Sequence, residues 1–181
     1  MFVGNSKGNV KIYEMCENIE KNEALYLISD QQSSISHLVC NDELNLWSST
    51  SIDGYINIYT MPLCKLIRSI KVITTKCNYA FLSAFPLPSF IIIYQEDKEE
   101  KQSKIFIYSI NGHLFLKQIE QSLINSPQII KDINSSDYLA YINLNNIIIR
   151  SLPDLIIQIR IEDLPEFYAI CPSEDNKVLY T

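Results

Sequence analysis

The sequence predicts an all-β chain, an arc of a β-propeller with three complete four-stranded blades and a partial blade at each end. Short runs rich in Ile, Val, Tyr and Leu recur between Gly, Asn, Ser, Asp and Pro, the pattern of strands joined by tight turns. Four runs share one shape, an alternating strand that ends on a bulky planar side chain: NVKIYEM from Asn9, YINIYTM from Tyr55, KIFIYSI from Lys104 and NIIIRSL from Asn146. Aligning them superposes Tyr13, Tyr59, Tyr108 and Arg150 at intervals of 46, 49 and 42 residues. A propeller blade repeats every ~40–45 residues, whereas solenoid repeats of roughly 20–30 residues would not fit.

Each period supplies an inner strand a, then b, c and an outer strand d. In the second period these read ISHLVCN from Ile35, LNLWSSTS from Leu44, YINIYTM and CKLIRSI. The third reads NYAFLSAF, SFIIIYQE, KIFIYSI and HLFLKQI; the fourth reads PQIIKDI, YLAYINL, NIIIRSL and LIIQIRI. MFVG, NVKIYEM and NEALYLIS give strands b, c and d of an earlier blade, and EFYAIC and KVLYT give a and b of a later one. The expected division is a partial blade over residues 1–34, blades over 35–73, 74–122 and 123–164, and a partial blade over 165–181. A closed four-blade ring is the alternative if EFYAIC completes the first blade, but it leaves KVLYT over; the open arc is preferred.

The turns fit this division. A b–c hairpin needs residues that tolerate positive φ, and Lys7-Gly8 and Asp53-Gly54 stand in register. Leu144-Asn145-Asn146 occupies the same place in the fourth period, with Asn expected to take the left-handed conformation. In the third period the turn is expected to widen into a solvated loop, QEDKEEKQSK over 95–104. Asn111-Gly112 makes a c–d hairpin, while Met61-Pro62 and Leu152-Pro153 put proline in turns, where no ladder donor is lost. Tyr13, Tyr59 and Tyr108 are expected to pack between neighbouring sheets with their hydroxyls tied to polar partners.

Composition narrows the function classes. Lys plus Arg total 15 against 21 Asp plus Glu, a net charge of −6, which offers no basic field for nucleic acid or anionic lipid. The N-terminus, MFVGNSKGNV, has no charged region followed by an apolar stretch, and apolar runs such as Phe90–Ile93 are too short to span a bilayer. Cys16, Cys40, Cys64, Cys77 and Cys171 form no paired spacing, and His37 and His113 lie apart from them in sequence. Reduced, mostly buried thiols of a cytoplasmic protein are expected, with no metal site and no cofactor.

The same strands resemble WD repeats, with Tyr-Glu, Tyr-Thr and Tyr-Ser where the Trp-Asp dipeptide would stand and no Gly-His before the inner strand. Three segments, SIDGYINIYTMPLCKLIRSI (51–70), FPLPSFIII (85–93) and IFIYSINGHLFLKQI (105–119), are similar to the C-terminal propeller of BEACH-domain proteins, the neurobeachin-like and lysosomal-trafficking-regulator-like family. The resemblance covers Leu44 to Leu155, and the flanks loosely; the chain holds no BEACH domain. It implies a cytoplasmic protein-interaction scaffold in vesicle traffic, membrane dynamics or autophagy, peripheral to endomembranes through the full-length protein.

No nucleophile-elbow, zinc-protease, P-loop or dinucleotide motif occurs, so catalytic, cofactor and metal residues are all expected to be absent. The carboxylate pairs Asp42-Glu43, Glu99-Glu100 and Glu174-Asp175 read as solvated loop charge, His37 as a satisfied imidazole on an inner strand, His113 as the start of an outer strand, and Trp47 as core. The expected docking surface includes the b–c turns at Lys7-Gly8, Asp53-Gly54 and 95–104, for protein partners rather than nucleic acid. Two other readings compete: a propeller enzyme or sugar-binding lectin using His37, Lys131, Asp132 and Cys171 at a channel mouth, and a truncated gene product without independent function.

Overall fold

The structure, a computed structural model, describes residues 1–14, 24–72, 77–96, 101–132, 134–162, 170–172 and 179–180. Among them there is no helix, and so none long and apolar enough to cross a membrane. The chain divides into two compact units, Met1–Ala80 and Phe81–Thr181.

In the first unit, β1 (Phe2–Gly4), β2 (Val10–Ile12) and β3 (Tyr26–Ile28) form an antiparallel sheet in chain order. A second antiparallel sheet follows, with β4 (Ile35–Asn41), β5 (Leu46–Ser51), β6 (Tyr55–Thr60) and β7 (Leu66–Lys71), again in chain order. The predicted b–c–d and a–b–c–d runs are therefore meanders. β4 coincides with the ISHLVCN segment, and the other strands start or stop within a few residues of expectation.

Burial follows position in the sheet. β5 is buried at every position and β6 through its middle, while β7 is exposed except at Ile70. An interior strand has ladder neighbours on both sides, and here both its faces are covered as well, so Ser48, Ser49, Thr50 and Ser51 are buried beside Trp47. The two sheets of this unit share a core: Val10 and Ile12 of the first pack with Trp47 and Tyr59 of the second. Trp47 is fully buried, stacks on Tyr59 at 4.1 Å between ring centroids and meets Phe2 at 5.0 Å. Tyr59 therefore packs between sheets as expected, and Trp47 is core.

β8 (Tyr79–Ser83) joins β9 (Ser89–Glu96), β10 (Gln102–Ser109) and β11 (Leu114–Glu120) in one four-stranded sheet. In the second unit β12 (Ile124–Lys131), β13 (Asp137–Asn143), β14 (Asn146–Ser151) and β15 (Ile157–Ile161) form another, and β16 (Cys171–Pro172) pairs with β17 (Leu179–Tyr180). All the registers that pair these strands are antiparallel. Most of the EFYAIC and KVLYT segments lies outside the described residues, as do Cys16, Glu99-Glu100 and Glu174-Asp175.

A shared irregularity makes the repeat geometrical. In each four-stranded sheet strand c shifts register against strand d just before its planar residue: between Ile58 and Tyr59, Ile107 and Tyr108, and Ile149 and Arg150. The extra residue sits on strand d, at Ile67, Phe115 and Gln158. Two of the c–d turns also coincide. Met61-Pro62 and Leu152-Pro153 are cis, Cys64 and Leu155 have φ of 53° and 55°, and the bonds Cys64 N–Thr60 O and Leu155 N–Ser151 O measure 3.0 and 2.9 Å.

Two turn expectations and one strand placement need correction. Leu144, not an asparagine, takes the positive φ of 54° in the β13–β14 turn; Asn143 pairs with Asn146, so the loop is only two residues long and its first residue must turn left-handed. Of the charged segment over 95–104, the described residues are strand except Lys101: Gln95 and Glu96 pair with Ser103 and Gln102, and 97–100 lie outside the described residues. Asp132 is not on the inner strand; β12 ends at Lys131, and the Asp132 carboxylate shapes the next turn by accepting the Asn134 and Ser136 amides, both at 2.8 Å.

Candidate functional site

Three polar clusters lie within the units. The one at the surface is a pocket of about 200 Å³ in the first unit, walled by Asp30, Gln31, Ser51, Asp53, Tyr55 and Asn57 among others. Strand alternation builds one wall. Tyr55, Asn57 and Tyr59 share a face of β6, and Ser49 and Trp47 face Asn57 and Tyr59 across the ladder. Along β6, Asn57 therefore lies between Tyr55 at the pocket and the Tyr59–Trp47 stack in the core.

The b–c turns set the mouth. Gly54, at φ 85°, closes the β5–β6 turn with its amide on Ser51 O, and Ser51 Oγ donates to Asp53. The opposite side comes from the Asp30-Gln31 segment after β3, and it rests on the first b–c turn: a Cβ on Gly8 would lie 2.2 Å from Gln31 O. Gln31 turns inward and is 7% exposed, its Nε2 donating to Ser49 O at 3.2 Å and Tyr55 O at 3.3 Å. Asn57, 2% exposed, donates through Nδ2 to the Tyr59 hydroxyl at 3.1 Å.

These bonds fix both amides and leave Gln31 Oε1 and Asn57 Oδ1 buried without a partner. Buried acceptors of this kind are uncommon and costly, on the order of 1–3 kcal/mol each. Burial raises the Tyr59 hydroxyl above its ordinary pKa; the Asn57 donor opposes the rise and the Asp30 carboxylate adds to it. Lys71 stands nearby, its ammonium donating to Asp53 O at 2.7 Å and lying 4.0 Å above the Tyr55 ring centroid.

A second cluster brings one of the two histidines, His37, to a cysteine far from it in sequence. Cys77 Sγ lies 3.3 Å from His37 Nδ1 and 3.6 Å from Thr50 Oγ1, which meets Ser36 Oγ at 2.8 Å. Forty residues separate this thiol and imidazole, so no local spacing could reveal the pair. Burial pushes the Cys77 thiol up, against hydrogen bonds from Thr50 and Ser36, and a raised pKa favours the thiol over the nucleophilic thiolate. Of the three cysteines whose burial is described, Cys77 is buried, Cys64 intermediate and Cys40 exposed, so they are less buried than expected. No group of three or more His, Cys, Asp or Glu that could hold a metal occurs among the described residues.

The third cluster, in the second unit, is a closed network. Arg150 reaches Glu120 at 2.7 Å, the Tyr141 hydroxyl at 2.7 Å and Leu155 O at 2.6 Å. Tyr141 donates to Glu120 at 3.0 Å, and Asn143 Nδ2 to its other oxygen at 3.3 Å. Arg150 thus replaces the tyrosine of the other repeats and keeps its role as the planar group tied at the end of strand c. Of the lectin or enzyme set, His37 meets Cys77, which is not a member of it, Asp132 shapes a turn, Lys131 ends β12 and Cys171 lies on β16. His113 precedes β11 and is exposed, as are Asp42 and Glu43.

Sequence reasoning missed Gln31 and Asn57. The signal for Asn57 was legible: a polar side chain on the Tyr55–Tyr59 face of a central strand, opposite the serines of β5. No family model matches the chain, and no curated protein matches it.

Proposed function

We propose that the chain is a non-catalytic docking module, part of a WD-type β-propeller, and that it serves as a protein-interaction scaffold of the BEACH type in vesicle traffic, membrane dynamics or autophagy. Consecutive four-stranded meanders with a bulge repeated at one position support the blade reading. The similarity of residues 51–70, 85–93 and 105–119 to the BEACH-protein propeller supports the scaffold. The single observation that carries docking is the pocket at the b–c turns: rigid sheets hold a polar, acidic recess at a loop surface, where binding groups concentrate.

The partner on this reading is a protein and not nucleic acid, since the net charge is −6 and the pocket rim carries Asp30 and Asp53. Cross-linked affinity capture with the full chain and with Asp53→Arg tests it. Docking at the turns requires a defined set of proteins held by the native chain and lost from the folded variant. The same set recovered with both would remove the site, and no reproducible set from cells expressing the chain would remove the function.

A further inference from the structure

The pocket in the first unit has a one-sided chemistry. The donors of its buried side chains are engaged, Gln31 Nε2 by two carbonyls, Asn57 Nδ2 by the Tyr59 hydroxyl and Ser51 Oγ by Asp53, while Gln32 and Ser69 stand exposed at the rim. What remains is a set of acceptors. Gln31 Oε1 and Asn57 Oδ1 are buried and unpaired, and the Asp30 and Asp53 carboxylates line the same recess. A complementary ligand group must donate in several directions, accept little and carry positive charge.

On the docking reading above, we propose that this pocket receives the guanidinium of an arginine side chain presented by the partner protein. Guanidinium has five N–H donors in a planar fork and no acceptor, which matches several acceptors spread over two walls. An ammonium radiates three donors from one point and is more strongly hydrated, so it gains less from separated acceptors. A sugar hydroxyl would bring acceptors to a buried wall whose own donors are engaged. A hard divalent cation wants about six or more oxygens with several carboxylates among them, and no three acidic or metal-binding side chains meet among the described residues. Lys71 does not fill the role itself, because its ammonium is held on Asp53 O and the Tyr55 ring. It trims the local charge and leaves the buried acceptors unmatched.

The test uses the isotope-labelled full chain and N-acetyl-arginine N-methylamide as probe. The expected result is saturable shifts of the Gln31 and Asn57 side-chain amide signals and of the Tyr55 backbone amide. Binding should weaken at least about ten-fold with the neutral citrulline analogue and fall with added salt. Asp30→Asn and Asp53→Asn, each checked as folded by the unchanged emission of buried Trp47, should weaken the arginine probe several-fold. Equal response to citrulline, tighter binding of the lysine analogue, the same shifts with calcium chloride, or none with any probe, as for a recess that holds water alone, would each overturn the proposal. An inert arginine probe combined with protein capture that Asp53→Arg abolishes would remove the guanidinium and leave docking standing. Probe binding without any turn-dependent partner would do the reverse.

Discussion

Arg150 is the residue whose chemistry departs furthest from its repeat. It replaces a tyrosine, yet it sits 8% exposed with its guanidinium bonded to the Tyr141 hydroxyl, Leu155 O and the Glu120 carboxylate. Removing it alone strands the Glu120 carboxylate in a buried place, and such a loss costs about 3–5 kcal/mol. Arg150→Met should therefore lower the urea midpoint sharply, while Arg150→Met with Glu120→Gln should recover more than half of the loss. Tyr141 in the same network, and Tyr59 in the first unit, have hydroxyl pKa values raised chiefly by burial. In the unfolded chain both ionise near ~10. The native state keeps its protons longer, so their contribution is intact below that pH and is lost as pH rises through and above it. Denaturation midpoints should hold to about pH 9 and then fall, and Tyr141→Phe should flatten the alkaline limb.

At the scale of elements, two turns of the same class carry opposite expectations. Gly8 has φ of 83° and packs its Cα against the Gln31 carbonyl. Gly8→Ala adds a left-handed penalty of ~1 kcal/mol and a clash that must push Gln31 away, so a loss of about 2–3 kcal/mol with disturbance of the Gln31 side-chain signal is expected. Leu144 already pays the left-handed penalty with its side chain 71% exposed. Leu144→Gly should stabilise the chain by roughly 0.5–1 kcal/mol in the same measurement. The strand order was legible because central strands alternate around apolar residues and end at Gly, Asn or Pro. The continuation of β9 and β10 into the charged segment was not, since Gln95, Glu96 and Gln102 read as loop. Ser103 in that segment is fully buried and accepts the Ile124 amide at 2.9 Å, a long-range bond that polarity alone disguises. The pocket was half legible: its Asp53-Gly54 turn stands in the sequence, but Gln31 reaches it across 18 residues to Ser49.

At the scale of the molecule, apolar side chains exceed what the described interiors hold. Outer strands expose them: Leu66 and Ile67 on β7, Leu114, Phe115 and Ile119 on β11, and Ile157, Ile159 and Ile161 on β15. These exposed apolar rows should make the chain self-associate, with a melting midpoint that depends on protein concentration. Ile159→Lys should reduce the associated fraction in sedimentation velocity without lowering the midpoint of the dilute chain by more than about 0.5 kcal/mol equivalent. A sharp, reversible and concentration-independent transition of a monomer would contradict this expectation.

The bulges at Ile67, Phe115 and Gln158 limit the form such association takes. Fibre growth requires an uninterrupted edge on which one strand after another can add its backbone hydrogen bonds. Each outer strand of a four-stranded sheet breaks its rhythm at its second residue, close to the planar residue of its neighbour. An incoming chain would meet a twisted, interrupted template there. The sticky side chains are thus carried on edges poorly suited to templated stacking, which favours reversible clusters over cross-β fibres.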